Sequence, residues 1–138
     1  GRRTQSNAEH EIALDEALDS DARFIFGNFE DFDMLYGHRN DPAGFARCLE
    51  RFDRTLAKVL SRMRSNDTLI LTADHGNDPT TPSTDHSREY VPVSVIERGE
   101  GTRDVGDRDG FMVVGRTVTH RLGISLPDAR ATPAADPV

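Results

Sequence analysis

Leu69-Ile70-Leu71-Thr72-Ala73-Asp74-His75-Gly76-Asn77-Asp78-Pro79-Thr80-Thr81-Pro82-Ser83-Thr84-Asp85-His86 reads as a strand that stops at a cluster of hard-metal ligands. The apolar run Leu69 to Leu71 ends at Asp74 and His75, Gly76 supplies a turn, and a turn-rich loop then delivers Asp85 and His86. A carboxylate and an imidazole that are neighbours at a strand's end diverge. They bind one ion only where the chain turns, or serve two adjacent ions. Taken alone, Asp74-His75 fits a helix cap and His86 an ordinary loop histidine; the surrounding sequence is what favours ligands.

Upstream, Arg23-Phe24-Ile25-Phe26-Gly27-Asn28-Phe29 is aromatic and β-branched and predicts a buried strand. It runs into Glu30-Asp31-Phe32-Asp33-Met34-Leu35-Tyr36-Gly37-His38, a second strand end with acids followed by a histidine. Acids among apolar residues are costly unless paired, and a divalent cation pairs them; a solvated acidic loop is the alternative. Asp41 as N-cap and Pro42 at the first helical position then open a helix to about Met63. Phe45, Cys48, Leu49, Phe52, Leu56, Val59, Leu60 and Met63 form its apolar stripe. Cys48 lies on the stripe and reads as core, while Arg47, Arg51, Arg54, Lys58 and Arg62, interleaved with Glu50 and Asp53, read as a solvated face.

Strand, helix and a Thr68 to Ala73 strand make a βαβ unit with parallel strands. Parallel strands place their carboxyl ends on one sheet edge, so the topology predicts Asp33 and His38 on the same rim as Asp74, His75 and His86. The expected fold is α/β: a partial core of about three parallel strands flanked by helices. Val91 to Ile96 is the third strand, with Pro92 near its start. A short helix from Ala8 with an exposed His10 precedes the core. A glycine-rich, charged and flexible loop spans Gly99 to Gly110, and a helix from about Phe111 to Leu122 is closed by Gly123. Residues 1–126 are expected to form the core domain part and 127–138, rich in proline and alanine, a disordered tail.

With 138 residues and 36% apolar content the chain is the size of one domain with a modest core. A formal charge of −7 argues against nucleic acid or an anionic membrane as partner. One cysteine excludes an internal disulfide and points to a reducing, cytoplasmic setting, and no run reaches the roughly 20 apolar residues of a membrane span.

Asp31 to Asp41, Thr72 to Thr80 and Thr84 to Val93, in this order and spacing, resemble the carboxyl-terminal part of the phosphopentomutases, a family of the alkaline phosphatase superfamily. The likeness runs from about Phe24 to Gly123. It implies interconversion of ribose or deoxyribose 1-phosphate with the 5-phosphate, a sugar bisphosphate activator and two manganese ions. Carried over by position, Asp33, His38 and His86 match the ligands of one metal, and Asp74 and His75 match ligands of the other. Oxygen and imidazole donors without thiolate suit manganese.

The family's further aspartate ligand, its phosphorylated threonine and its cap domain all precede the matched region, and no counterpart is found in this sequence. Thr72, Thr80, Thr81 and Thr84 lie outside the nucleophile context, so no catalytic residue is assigned. Thr81 and Ser83 replace an aromatic residue and a glycine common in the family, and Val113 an acid. Two other readings stand beside this one. One is a cofactor-independent phosphoglycerate mutase fragment, against which Tyr36-Gly37-His38-Arg39 and Asp78-Pro79-Thr80 speak; the other is a non-catalytic metal-binding remnant.

Overall fold

The computed structural model describes residues 1–99 and 104–125. Along the chain come α1 (Asn7–Leu18), a π-helical turn (Phe32–Gly37), α2 (Pro42–Arg62), β1 (Thr68–Thr72), β2 (Val93–Glu97) and α3 (Met112–Leu122). They fall into two compact units: residues 1–63 with 75–90, and residues 64–74 with the described residues from Val91 onward. Among the described residues no helix is long and apolar enough to cross a membrane.

In the first unit the helix ends follow local chemistry. Ser6 caps α1 by accepting the Glu9 N–H through its hydroxyl at 3.3 Å, and Asp41 caps α2 by accepting the Gly44 N–H at 2.8 Å. Pro42 occupies the first turn of α2, where its missing N–H costs nothing. The two helices run in the same direction. Asn7 touches Cys48, Glu11 pairs with Arg51 at 3.3 Å, and Asp15 and Asp19 both pair with Arg62, at 2.7 and 2.5 Å. Each partly exposed pair contributes about 0–1 kcal/mol, so apolar contact does most of the holding.

That contact is aromatic. Phe29 meets Phe52 edge to face with ring centres 5.0 Å apart, and Phe32 lies 5.9 Å from Phe52 and 5.6 Å from Phe45. His10 is half-buried, not exposed as expected, because its ring packs edge-on against Phe29 and its Nδ1 meets the Thr4 hydroxyl. Cys48 and Met63 are buried, as the α2 stripe requires, but Leu49 is 51% exposed.

The second unit holds β1 and β2 as a two-stranded antiparallel sheet, with Thr68 opposite Glu97 and Thr72 opposite Val93. The expectation of three parallel strands is corrected here. A parallel pair needs a crossover element, and the segment between β1 and β2 is a non-helical loop that returns the chain in the opposite direction. The Arg23 to Phe29 run forms no strand: it has no ladder partner among the described residues, and Phe24 and Phe26 are 55% and 79% exposed. The acid-rich end that follows it is a π turn. Helix α3 buries Val113 and Thr117 and stops at Gly123, whose φ of +68° suits a residue without a Cβ. Arg121 in its last turn reaches Glu97 at 2.8 Å, and Glu97 also accepts the Thr68 hydroxyl at 2.8 Å. The tail expected at 127–138 and part of the Gly99 to Gly110 loop lie outside the described residues.

Candidate metal centre

Asp33 and His38 sit five residues apart across the π turn, where the His38 N–H donates to the Asp33 carbonyl at 3.0 Å. A bond of that span winds the backbone wide and returns residue 38 to the side of residue 33, so both side chains leave the same flank. His38 Nε2 lies 3.2 Å from Asp33 Oδ2.

The loop after β1 brings the other histidines. The Ser87 N–H donates to the Gly76 carbonyl at 2.9 Å, which closes residues 77–86 into a loop with its ends side by side. Gly76 is required there: a Cβ would come within 2.7 Å of the Glu89 side chain and 3.0 Å of the Ser87 carbonyl. Closure stacks His75 on His86 with ring centres 3.6 Å apart. His86 Nε2 then lies 3.4 Å from Asp33 Oδ1 and 3.2 Å from His38 Nε2. Among the described residues, ligand atoms of Asp33, His75 and His86 all fall within 4.8 Å of one another.

These separations fit a cation. With metal–ligand bonds of about 2.0–2.2 Å, neighbouring ligands on a tetrahedral or octahedral ion lie roughly 2.8–3.6 Å apart. The tautomers fit as well. His38 Nδ1–H donates to the Thr84 carbonyl at 2.5 Å, leaving the Nε2 lone pair facing Asp33 and His86. One carboxylate with imidazoles and no sulfur suits a hard or borderline divalent ion.

The structure thus brings together Asp33, His38, His75 and His86 of the residues singled out from the sequence. Asp74 and Asp85 are exposed; Asp74 belongs to the second compact unit, and the Asp85 N–H donates to Ser83 Oγ at 3.1 Å. Asp31 is engaged elsewhere, its carboxylate accepting the N–H of buried Asn7 at 3.0 Å while its own N–H donates to Asn7 Oδ1 at 3.2 Å. Asp78 organises the loop: its carboxylate accepts the hydroxyl and the N–H of Thr80, which hold it below the usual carboxylate range.

Three supporting groups were not read from the sequence. They are the Thr84 carbonyl, Asn40, whose amide donates to the Thr81 carbonyl at 3.1 Å, and Asn77, whose amide donates to Asp33 Oδ1 at 2.6 Å. A backbone carbonyl leaves no trace in a residue pattern. An asparagine just after a turn glycine has a commoner use in the turn itself.

A family model described as the Metalloenzyme superfamily matches residues 1–126. The chain is 52% identical over 122 residues to a phosphopentomutase of Anaeromyxobacter sp. strain K, covering 88% of this chain and 31% of that protein. It is 51% identical over 112 residues to the phosphopentomutase of Rhizobium rhizogenes strain K84, covering 81% and 27%. It is 53% identical over 102 residues to that of Acetivibrio thermocellus, covering 73% and 26%. The chain spans about a third of the length of the curated relatives it matches. A convergent aspartate and histidine set in a chain whose first 126 residues match that model leads to one conclusion: the chain belongs to the Metalloenzyme superfamily.

Proposed function

We propose that this chain is the metal-binding carboxyl-terminal portion of a phosphopentomutase, acting on (deoxy)ribose 1-phosphate and 5-phosphate in the cytoplasm, with a sugar bisphosphate as activator. The observation that carries the reading is the mutual approach of Asp33, His38 and His86 at 3.2–3.4 Å, in a chain about half identical to phosphopentomutases. In this reading Asp33, His38 and His86 hold one divalent ion, most naturally manganese, and Asp74 and His75 contribute to a second. Two divalent ions at such a site supply charge neutralisation for phosphoryl oxygens and a lowered pKa for an attacking hydroxyl.

The chain's own residues prepare the site. The Thr84 carbonyl fixes the His38 tautomer, the Gly76–Ser87 closure holds His86 against His75, and the π turn presents Asp33 beside His38. With those positions set by backbone hydrogen bonds, little rearrangement is needed to receive an ion.

Manganese should therefore raise the melting temperature of the purified chain. An ion at a hundredfold excess over its Kd stabilises the native state by about 2.7 kcal/mol. His86→Ala should lose most of that shift because it removes the imidazole that faces both Asp33 and His38. A melting curve indifferent to manganese in the parent chain would reject the site.

A further inference from the structure

The Asn77 side chain contacts Asp33 directly. Its Nδ2 lies 2.6 Å from Asp33 Oδ1, the oxygen that also faces His86 Nε2 at 3.4 Å, while Oδ2 faces His38. The amide nitrogen has to be the atom turned to the carboxylate, since two oxygens at that distance repel. Its own oxygen is then turned into a buried position and finds no hydrogen-bond partner among the described residues.

Gly37 makes room for this arrangement. It is buried at the end of the π turn and its φ is not positive, so backbone conformation does not demand glycine. Space does: a Cβ on residue 37 would stand 2.4 Å from Asn77 Nδ2, 2.6 Å from its Cγ and 3.0 Å from its Oδ1. A buried amide oxygen without a partner is a standing cost to the fold. The pairing of a glycine cradle with a costly amide points to a purpose other than stability.

We propose that Asn77 is a positioning residue for the metal centre: its amide pins Asp33 Oδ1, fixing the carboxylate plane so that both oxygens face the histidines, and Gly37 is the gap that admits it. This rests on the reading of Asp33, His38 and His86 as ligands. Groups that orient ligands in this way typically change metal affinity by about 10–100-fold when removed.

The test is manganese titration of the full chain by calorimetry, alongside metal-free melting and the electron paramagnetic resonance spectrum of the bound ion. Asn77→Leu keeps the branched shape and removes both the donor and the orphaned acceptor; Asn77→Ala removes the group outright. The expected result is a metal-free melting temperature held or raised in Asn77→Leu, with manganese affinity at least tenfold weaker in both variants and an altered spectrum. Gly37→Ala, which leaves Asn77 present but displaces it, should weaken binding in the same direction. Affinity within twofold of the parent in Asn77→Leu and Asn77→Ala would overturn the inference, as would a drop in metal-free melting that leaves affinity untouched, since that is the signature of a loop tether. Failure of the parent chain to bind manganese would instead overturn the ligand reading on which the inference stands. If Asn77→Ala does not fold, Asn77→Leu decides alone.

Discussion

Cys48 shows how one side chain is fitted to its surroundings. It is 8% exposed, receives a weak contact from the Asn7 amide at 3.5 Å, and lies in the field of Asp31. Burial pushes its thiol above the ordinary value of 9.0, and the Asp31 carboxylate pushes in the same direction, since both disfavour a thiolate. A group whose folded pKa is raised stabilises the fold fully below its unfolded pKa and loses that contribution as pH rises through the folded value. The Cys48 contribution to unfolding free energy should hold steady through neutrality and fall as pH rises past the ordinary thiol value of 9.0, where the unfolded thiol ionises first. Cys48→Ala should flatten that decline. In the folded parent, iodoacetamide should label Cys48 far more slowly than in urea at the same pH. Labelling at the unfolded rate would show that the thiol is open to solvent. Asn7, which links Cys48 and Asp31, had no marking in the sequence: an asparagine just inside a helix start reads as polar surface, yet it is 4% exposed.

Helix α2 is the element that organises the first unit, and both its ends and its middle can be tested. Asp41 Oδ1 accepts the Gly44 N–H, and Gly44 is buried with its missing Cβ facing Asp41 Oδ2 and the Tyr36 ring. Asp41→Ala should cost about 1 kcal/mol, while Asp41→Asn, which keeps an acceptor, should cost only a few tenths. Phe52 bridges Phe29 and Phe32, so Phe52→Ala should cost about 2–3 kcal/mol, somewhat below the range for a fully buried phenylalanine because Phe52 keeps some exposure. Urea denaturation of the three variants checks all of these values. Equal losses in Asp41→Ala and Asp41→Asn would remove the cap from the account. The helix was legible because its signals are local: Asp41, Pro42 and a stripe of three- and four-residue spacing lie within one window. Helix α3 was legible for the same reason, down to Gly123. The sheet was not, because β pairing depends on which segment arrives alongside, and no short window states that. Arg23 to Phe29 has strand composition, but Phe24 and Phe26 turn outward while Phe29 turns into the aromatic cluster, and among the described residues the run joins no sheet. Of the five ligand candidates named from the sequence, Asp33, His38, His75 and His86 come close to one another, although through a π turn and a closed loop rather than through the parallel sheet edge that the sequence predicted, while Asp74 belongs to the other compact unit.

At the scale of the whole molecule, the residues decide what chemistry the 138-residue chain can perform unaided. A mutase must take a phosphoryl group from one position of the sugar phosphate and return it to another, which requires a side chain that carries it meanwhile. Two threonine hydroxyls of the loop between Gly76 and Ser87 are already engaged. Thr80 donates to the Asp78 carboxylate at 2.7 Å and Thr81 to the Asp78 carbonyl at 3.0 Å, and neither lies in the nucleophile context of the family it resembles. Asp33 and His86 are partly exposed, so water reaches the centre and hydrolysis would compete with transfer at any phosphoryl group bound there. The chain spans about a third of its relatives' length. Purified chain given manganese, ribose 5-phosphate and a sugar bisphosphate should therefore show no sustained formation of ribose 1-phosphate by phosphorus NMR. Slow release of inorganic phosphate that disappears in His86→Ala would fit a metal-binding portion without its carrier. Sustained interconversion, lost in His86→Ala and kept in the Thr80→Val, Thr81→Val double variant, would place the carrier elsewhere in this chain and make it a complete enzyme.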